Sequence, residues 1–133
     1  LPEKTITLFG AAFKPNTDDI RDSRAIYLAK DLVKQGVRVR LCDPEALGNA
    51  RRYLTKAGLA DKIEFIEDPY EATKGAHAVL LITQWSQFGE SVLDFSKIYE
   101  GMAKPAVLLD GRNFYTPKKM SSLGFKYTSI GRP

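Results

Sequence analysis

Apolar positions along the chain follow two periods. Thr5–Phe9 (TITLF), Val37–Cys42 (VRVRLC) and Ile63–Ile66 are short runs rich in β-branched and apolar residues, which predict strands. Ala78–Thr83 (AVLLIT) and Ala106–Leu109 (AVLL) are almost wholly apolar, the mark of strands covered on both faces. Phe125–Thr128 predicts a last, edge-like strand. Between these runs the period lengthens. From a cap at Asp22 or Ser23, the residues Ile26, Ala29, Leu32 and Val33 share one face of a helix reaching about Gln35, with Gly36 suited to its exit. Ala46–Ala57 predicts a second helix, basic on one side and ended by Gly58. Asp68-Pro69 opens a short helix through Lys74, because proline suits a first helical turn. Gln84–Gly89 reads as a loop or a single helical turn. Asp94–Met102 predicts a further helix, with Phe95, Ile98, Tyr99 and Met102 on one side.

Strands and helices thus alternate, and several strands are continuously apolar. The pattern predicts an α/β fold, a Rossmann-like three-layer α/β/α sandwich around a mostly parallel sheet of about six strands. Ligands of such sheets bind beyond the C-terminal strand ends. Functional residues are therefore expected from four places: the segment after Phe9, Asp43, Thr83 to Trp85, and Asp110 to Asn113.

Composition narrows the picture. The chain has 133 residues, 44% hydrophobic and 27% charged, which suits one globular domain and argues against disorder. No apolar run approaches the roughly 18 residues of a membrane helix, so no membrane partner is expected. The single cysteine, Cys42, excludes an internal disulfide and a cysteine-rich zinc site, and makes a cytoplasmic location the natural expectation. The chain opens Leu1-Pro2-Glu3-Lys4, with neither an initiator Met nor a signal-peptide pattern, and is expected to be processed or a fragment. The net charge of +4 comes from one end: residues 111–133 hold Arg112, Lys118, Lys119, Lys126 and Arg132 and no acid. One focused patch suits a local anion such as a ligand phosphate. Nucleic acid, which usually meets a basic stripe interleaved with exposed aromatics, is not expected.

The strand ends carry the candidate chemistry. A dinucleotide fingerprint after Phe9 would need G-x-G-x-x-G; only Gly10 is present, and a long loop separates it from the helix. Asp43 stands where such domains keep a ribose-binding acid, but without the glycines it reads first as a turn before Pro44. Lys14 offers a point charge to a ribose or phosphate oxygen, or is a solvated loop lysine. Arg112, after Asp110-Gly111, offers a planar fork to ribose hydroxyls or phosphate, or is a surface arginine. Arg21 with Asp18, Asp19 and Asp22 reads as an ion-pair cluster and helix cap. Cys42 reads as a buried structural residue, and His77 has no partner motif and no catalytic role. Trp85 and Phe88 are expected to pack the sheet's end against a neighbouring domain or subunit, with stacking on uracil as the lesser reading.

The loop after Phe9, Gly10–Ser23 (GAAFKPNTDDIRDS), resembles the start of the C-terminal, UDP-binding domain of nucleotide-sugar dehydrogenases, the UDP-glucose/GDP-mannose dehydrogenase family. Cys42-Asp43-Pro44, Thr83-Gln84-Trp85-Ser86-Gln87-Phe88, Asp110-Gly111-Arg112-Asn113 and Leu123-Gly124-Phe125 resemble the same domain in the same order. Pro15-Asn16-Thr17 is more similar to the UDP-glucose members than to the GDP-mannose or N-acetylhexosamine members. The resemblance implies that residues 1–133 are a single UDP-binding domain, the C-terminal part of a larger enzyme that oxidises UDP-glucose to UDP-glucuronate with NAD. It implies UDP contacts at Phe13, Lys14 and Arg112, and an NAD contact at Arg21 across an interdomain cleft. The catalytic cysteine, the main NAD-binding domain and a long central helix would lie in the missing part, leaving no catalytic residue and no metal ligand here. The implied partners are UDP-glucose, the N-terminal and central domains, and further copies in a homo-oligomer. A related nucleotide-sugar dehydrogenase, or a nucleotide-binding module without chemistry, remains the alternative.

Overall fold

The computed structural model describes residues 4–12, 19 and 23–129. Six strands form one sheet: β1 (Thr5–Phe9), β2 (Arg38–Cys42), β3 (Ile63–Phe65), β4 (Ala78–Leu81), β5 (Val107–Asp110) and β6 (Lys126–Ser129). Their order is β3-β2-β1-β4-β5-β6, and every pairing is parallel. Five helices connect them: α1 (Arg24–Lys34), α2 (Leu47–Lys56), α3 (Pro69–Thr73), α4 (Phe95–Gly101) and α5 (Pro117–Leu123). The α/β sandwich expected from the sequence is the fold found.

Local chemistry sets the helix starts. The Ser23 side chain accepts the Ile26 N–H at the head of α1, whose Ala25, Ile26, Ala29 and Leu32 are buried. Asp68 caps α3 ahead of Pro69, and Asp94 accepts the Ser96 and Lys97 N–H groups of α4. Helix α5 is absent from the sequence-based expectation. Its sequence, PKKMSSL, buries only Met120, so it shows no apolar stripe. Its start is fixed from outside, by Glu90 accepting the Thr116 N–H and hydroxyl, and its end by Gly124 at φ 113°.

The strand order decides what each face receives. From β1 the chain steps one way to β2 and β3; from β4 it steps the other way to β5 and β6. Right-handed crossovers then place α1 and α2 on one face and the later helices on the other. Lys30 on α1 meets Tyr53 on α2 at 3.4 Å, while the Thr7 hydroxyl donates to Ala72 of α3 on the opposite face. That second face holds a dense aromatic core. Phe9 stacks on Phe88 at 4.5 Å, Phe95 meets Tyr115 at 4.9 Å, and the Tyr115 hydroxyl donates to the Phe88 carbonyl at 2.8 Å.

Two expectations need correction here. The apolar runs of β4 and β5 are not covered on both faces. No helix among the described residues crosses the α1 side of β4–β6, so Leu80 is only half buried and Leu109 is 37% exposed. Trp85 and Phe88 do not face a neighbour either; they are 2% and 1% exposed inside this chain, filling the space beyond the ends of β1 and β4.

Candidate functional site

The register places Phe9, Cys42, Leu81 and Asp110 in one row across β2, β1, β4 and β5. The residues that follow them therefore form one rim, and all four segments singled out in the sequence meet there. Gly10 opens the rim. Its N–H donates to the Cys42 carbonyl at 2.7 Å, and its φ of +111° is one that side-chain-bearing residues rarely adopt.

Asp43 is the polar centre of the rim. Its Oδ2 accepts the N–H groups of Ala11 (2.7 Å) and Ala12 (3.1 Å) and the Trp85 Nε1–H (3.1 Å). Its Oδ1 accepts the N–H groups of Glu45 (2.8 Å) and Ala46 (2.7 Å). At 1% exposure, and with both oxygens filled by the chain's own donors, Asp43 has no capacity left for a ribose hydroxyl. The turn expected before Pro44 is present, but it uses only one of the two oxygens. Thr83 completes this half of the rim by donating its hydroxyl to the Ala12 carbonyl at 2.8 Å.

Asp110 organises the other half. Its Oδ1 accepts the Arg112 N–H (3.0 Å), and its Oδ2 accepts the N–H groups of Phe114 (2.7 Å) and Tyr115 (2.8 Å) and the Tyr127 hydroxyl (2.7 Å). The loop that carries Arg112 is thereby wound around one carboxylate. Arg112 itself is exposed, and its Nε–H donates to the Gln84 side-chain oxygen. Beside it lies a cleft of about 450 Å³ lined by Arg24, Tyr27, Leu28, Leu80 and Leu109, the bare part of the sheet.

Burial alone would raise the Asp110 pKa. The N–H groups of Tyr115 and Phe114, the Tyr127 hydroxyl and the Arg112 N–H outweigh it and hold the carboxyl below its ordinary value. A depressed folded pKa stabilises the fold above the unfolded value of about 3.9, and that stability is lost as pH falls through the folded pKa. Asp110→Asn should therefore melt lower than wild type at pH 7, with the gap closing as thermal melts are taken down to pH 3. A constant gap would mean that the charge of Asp110 contributes nothing.

Cys42 has its thiol raised from 9.0 to about 12, first by burial and then by the carboxylates of Asp43, Asp68 and Glu67. It stays protonated at neutral pH and is no nucleophile, as its buried structural reading required. His77 accepts the Thr5 N–H at the N-terminal end of β1, away from the rim. Among the described residues, no cluster of His, Cys, Asp or Glu could hold a metal, and no helix is long and apolar enough to cross a membrane.

Of the expected ligand contacts, Arg112 is on the rim, while Phe13, Lys14 and Arg21 lie outside the described residues. Sequence reasoning missed Asp110 and Thr83 as organising residues and Gln84 as the partner of Arg112. An acid after a strand and before Gly or Pro signals a turn; the number of donors it collects is a tertiary property.

A sequence profile described as the UDP-glucose/GDP-mannose dehydrogenase family, UDP binding domain, matches residues 7–117. A UDP-glucose 6-dehydrogenase of Pseudomonas aeruginosa is 45% identical over 131 residues, 98% of this chain and 28% of that protein. A UDP-glucose 6-dehydrogenase of Caenorhabditis elegans is 36% identical, over 97% of this chain and 27% of its own length. The structure of a UDP-glucose dehydrogenase from Pyrobaculum islandicum superposes with a TM-score of 0.67 at 32% identity, over 94% of this chain and 26% of that one. The chain thus spans a little over a quarter of the length of these relatives. The profile match takes in the whole rim from Gly10 to Tyr115, and the chain belongs to the UDP-glucose/GDP-mannose dehydrogenase family, as its UDP binding domain.

Proposed function

We propose that this chain is the UDP-binding, C-terminal domain of an NAD-dependent UDP-glucose 6-dehydrogenase, and that the longer protein oxidises UDP-glucose to UDP-glucuronate. The observation that carries this reading is the rim. The C-terminal ends of β1, β2, β4 and β5 converge on it, Arg112 stands on it, and relatives named for this activity match the chain over almost its full length.

Arg112, on a loop fixed by Asp110, offers charged N–H donors to the oxygens of a nucleotide. Lys14 adds a point charge to the same ligand, and Phe13 supplies ring or backbone contact to the uridine. Holding the nucleotide fixes where the distant hexose carbon lies, so these contacts serve orientation of the reacting group. The chain's own residues do not fit NAD in the manner of a dinucleotide fold: Gly10 stands without the further glycines of the fingerprint, and Asp43 is filled. NAD is assigned to the missing part of the protein, with Arg21 as the single residue of this domain that reaches it. The bare side of β4–β6, with Tyr27 57% exposed at its edge, suits packing of the remaining polypeptide, in a homo-oligomer. A cytoplasmic setting suits the lone thiol.

The test is steady-state kinetics on the longer enzyme. Lys14→Ala should raise the KM for UDP-glucose about tenfold or more and leave that for NAD within about twofold. Arg21→Ala should show the reverse pattern. If Lys14→Ala altered only the NAD constant, the assigned roles would be wrong.

A further inference from the structure

We propose that Asp43 and Thr83 are positioning residues for nucleotide binding, which hold Ala11 and Ala12, the two residues that precede Phe13 and Lys14 in the sequence. The inference rests on the reading of Phe13 and Lys14 as UDP contacts. In a dinucleotide fold, a tight glycine turn running straight into a helix sets the loop after the first strand. Here the G-x-G-x-x-G turn is absent and Gly10 is separated in sequence from the Ser23 cap of α1 by twelve residues. The neighbouring strands hold it instead.

The arrangement is specific to residues 11 and 12. From the β2 side, Asp43 Oδ2 takes the N–H groups of both Ala11 and Ala12. From the β4 side, the Thr83 hydroxyl donates to the Ala12 carbonyl. Both polar backbone groups of Ala12 are therefore engaged from opposite sides, immediately before Phe13. Trp85 donates to the same carboxylate oxygen and keeps it turned toward β1. Asp43, Thr83 and Trp85 are all at most 2% exposed, so water does not compete for these bonds. The turn at Pro44 needs only Oδ1, through Glu45 and Ala46. The three donors on Oδ2 come from the ends of β1 and β4 and do nothing for that turn.

Only a carboxylate serves all five donors. An asparagine has one acceptor oxygen, and its NH2 would confront two or three N–H groups whichever way it turned. Thr83→Val is the gentler probe, since it keeps the branched shape and removes only the hold on Ala12.

The experiment is calorimetric titration of UDP into the chain and its Lys14→Ala, Asp43→Asn, Thr83→Val and Thr83→Ser variants, with a thermal melt of each to show that it is folded at the titration temperature. Thr83→Val and Asp43→Asn should each weaken UDP about tenfold in the folded protein, and Thr83→Ser, which keeps the hydroxyl, should recover most of the Thr83→Val loss. A purely structural role would lower the melting temperatures and leave UDP affinity unchanged. If Lys14→Ala weakens UDP while Thr83→Val and Asp43→Asn bind like wild type, the positioning role is overturned and the nucleotide reading stands. If Lys14→Ala binds UDP like wild type, the loop is no nucleotide contact and both fall.

Discussion

Gly10→Ala should destabilise the fold by about 3–5 kcal/mol, a large part of the roughly 5–15 kcal/mol that holds a domain folded. Two costs combine. A Cβ at a φ of +111° is strained whatever the space around it. The same Cβ would lie 2.5 Å from Thr83 Cβ and Oγ1 and 2.7 Å from the Thr83 backbone nitrogen. Trimming the Thr83 side chain cannot remove the last clash, because it is with the main chain just beyond β4. Relief would need the ends of β1 and β4 to part, and the Gly10 N–H would then lose the Cys42 carbonyl. Urea unfolding followed by tryptophan fluorescence measures this directly, since Trp85 sits in the affected rim. A loss below about 1 kcal/mol would show that the rim has slack the geometry denies.

Arg112→Ala should weaken UDP binding to the chain by about tenfold to a hundredfold. A hydrogen bond to a charged group is worth about 1.5–3 kcal/mol, and about 1.4 kcal/mol is a factor of ten. The melting temperature should move little, because Arg112 is exposed and its side chain's partner here is the Gln84 side chain. The combination separates Arg112 from Asp110. Replacing Asp110 strips acceptors from four donors and unwinds the loop, so it should lower stability and affinity together. An Arg112→Ala chain that binds UDP like wild type would remove Arg112 from the site.

Most of the sheet was readable because its strands are short apolar runs and its first four helices have an apolar stripe or a capping residue at the right spacing. Helix α5 was not, because its single buried residue, Met120, leaves no period to detect. The exposure of Leu80 and Leu109 was unreadable for a different reason. A continuous apolar strand reports that it wants cover on both faces, not whether its own chain supplies it. Trp85 and Phe88 misled in the opposite sense. Large aromatics near a strand end suggest a partner, yet both are buried within this chain, Phe88 against Phe9 of β1 and Trp85 on the Asp43 carboxylate. In the site, the four strand ends and Arg112 follow from strand order and polarity. The functions of Asp43 and Asp110 do not, since each gathers donors that are remote in sequence: Asp43 from residues 11, 12 and 85, Asp110 from Tyr127.

The most direct test of the account is competitive calorimetry of UDP and GDP on the isolated chain in one buffer. Part of the site is expected to lie in the missing polypeptide, so binding should be weak, but UDP should bind at a single site and at least about tenfold more tightly than GDP. Equal or tighter binding of GDP would contradict the assignment of this rim to UDP.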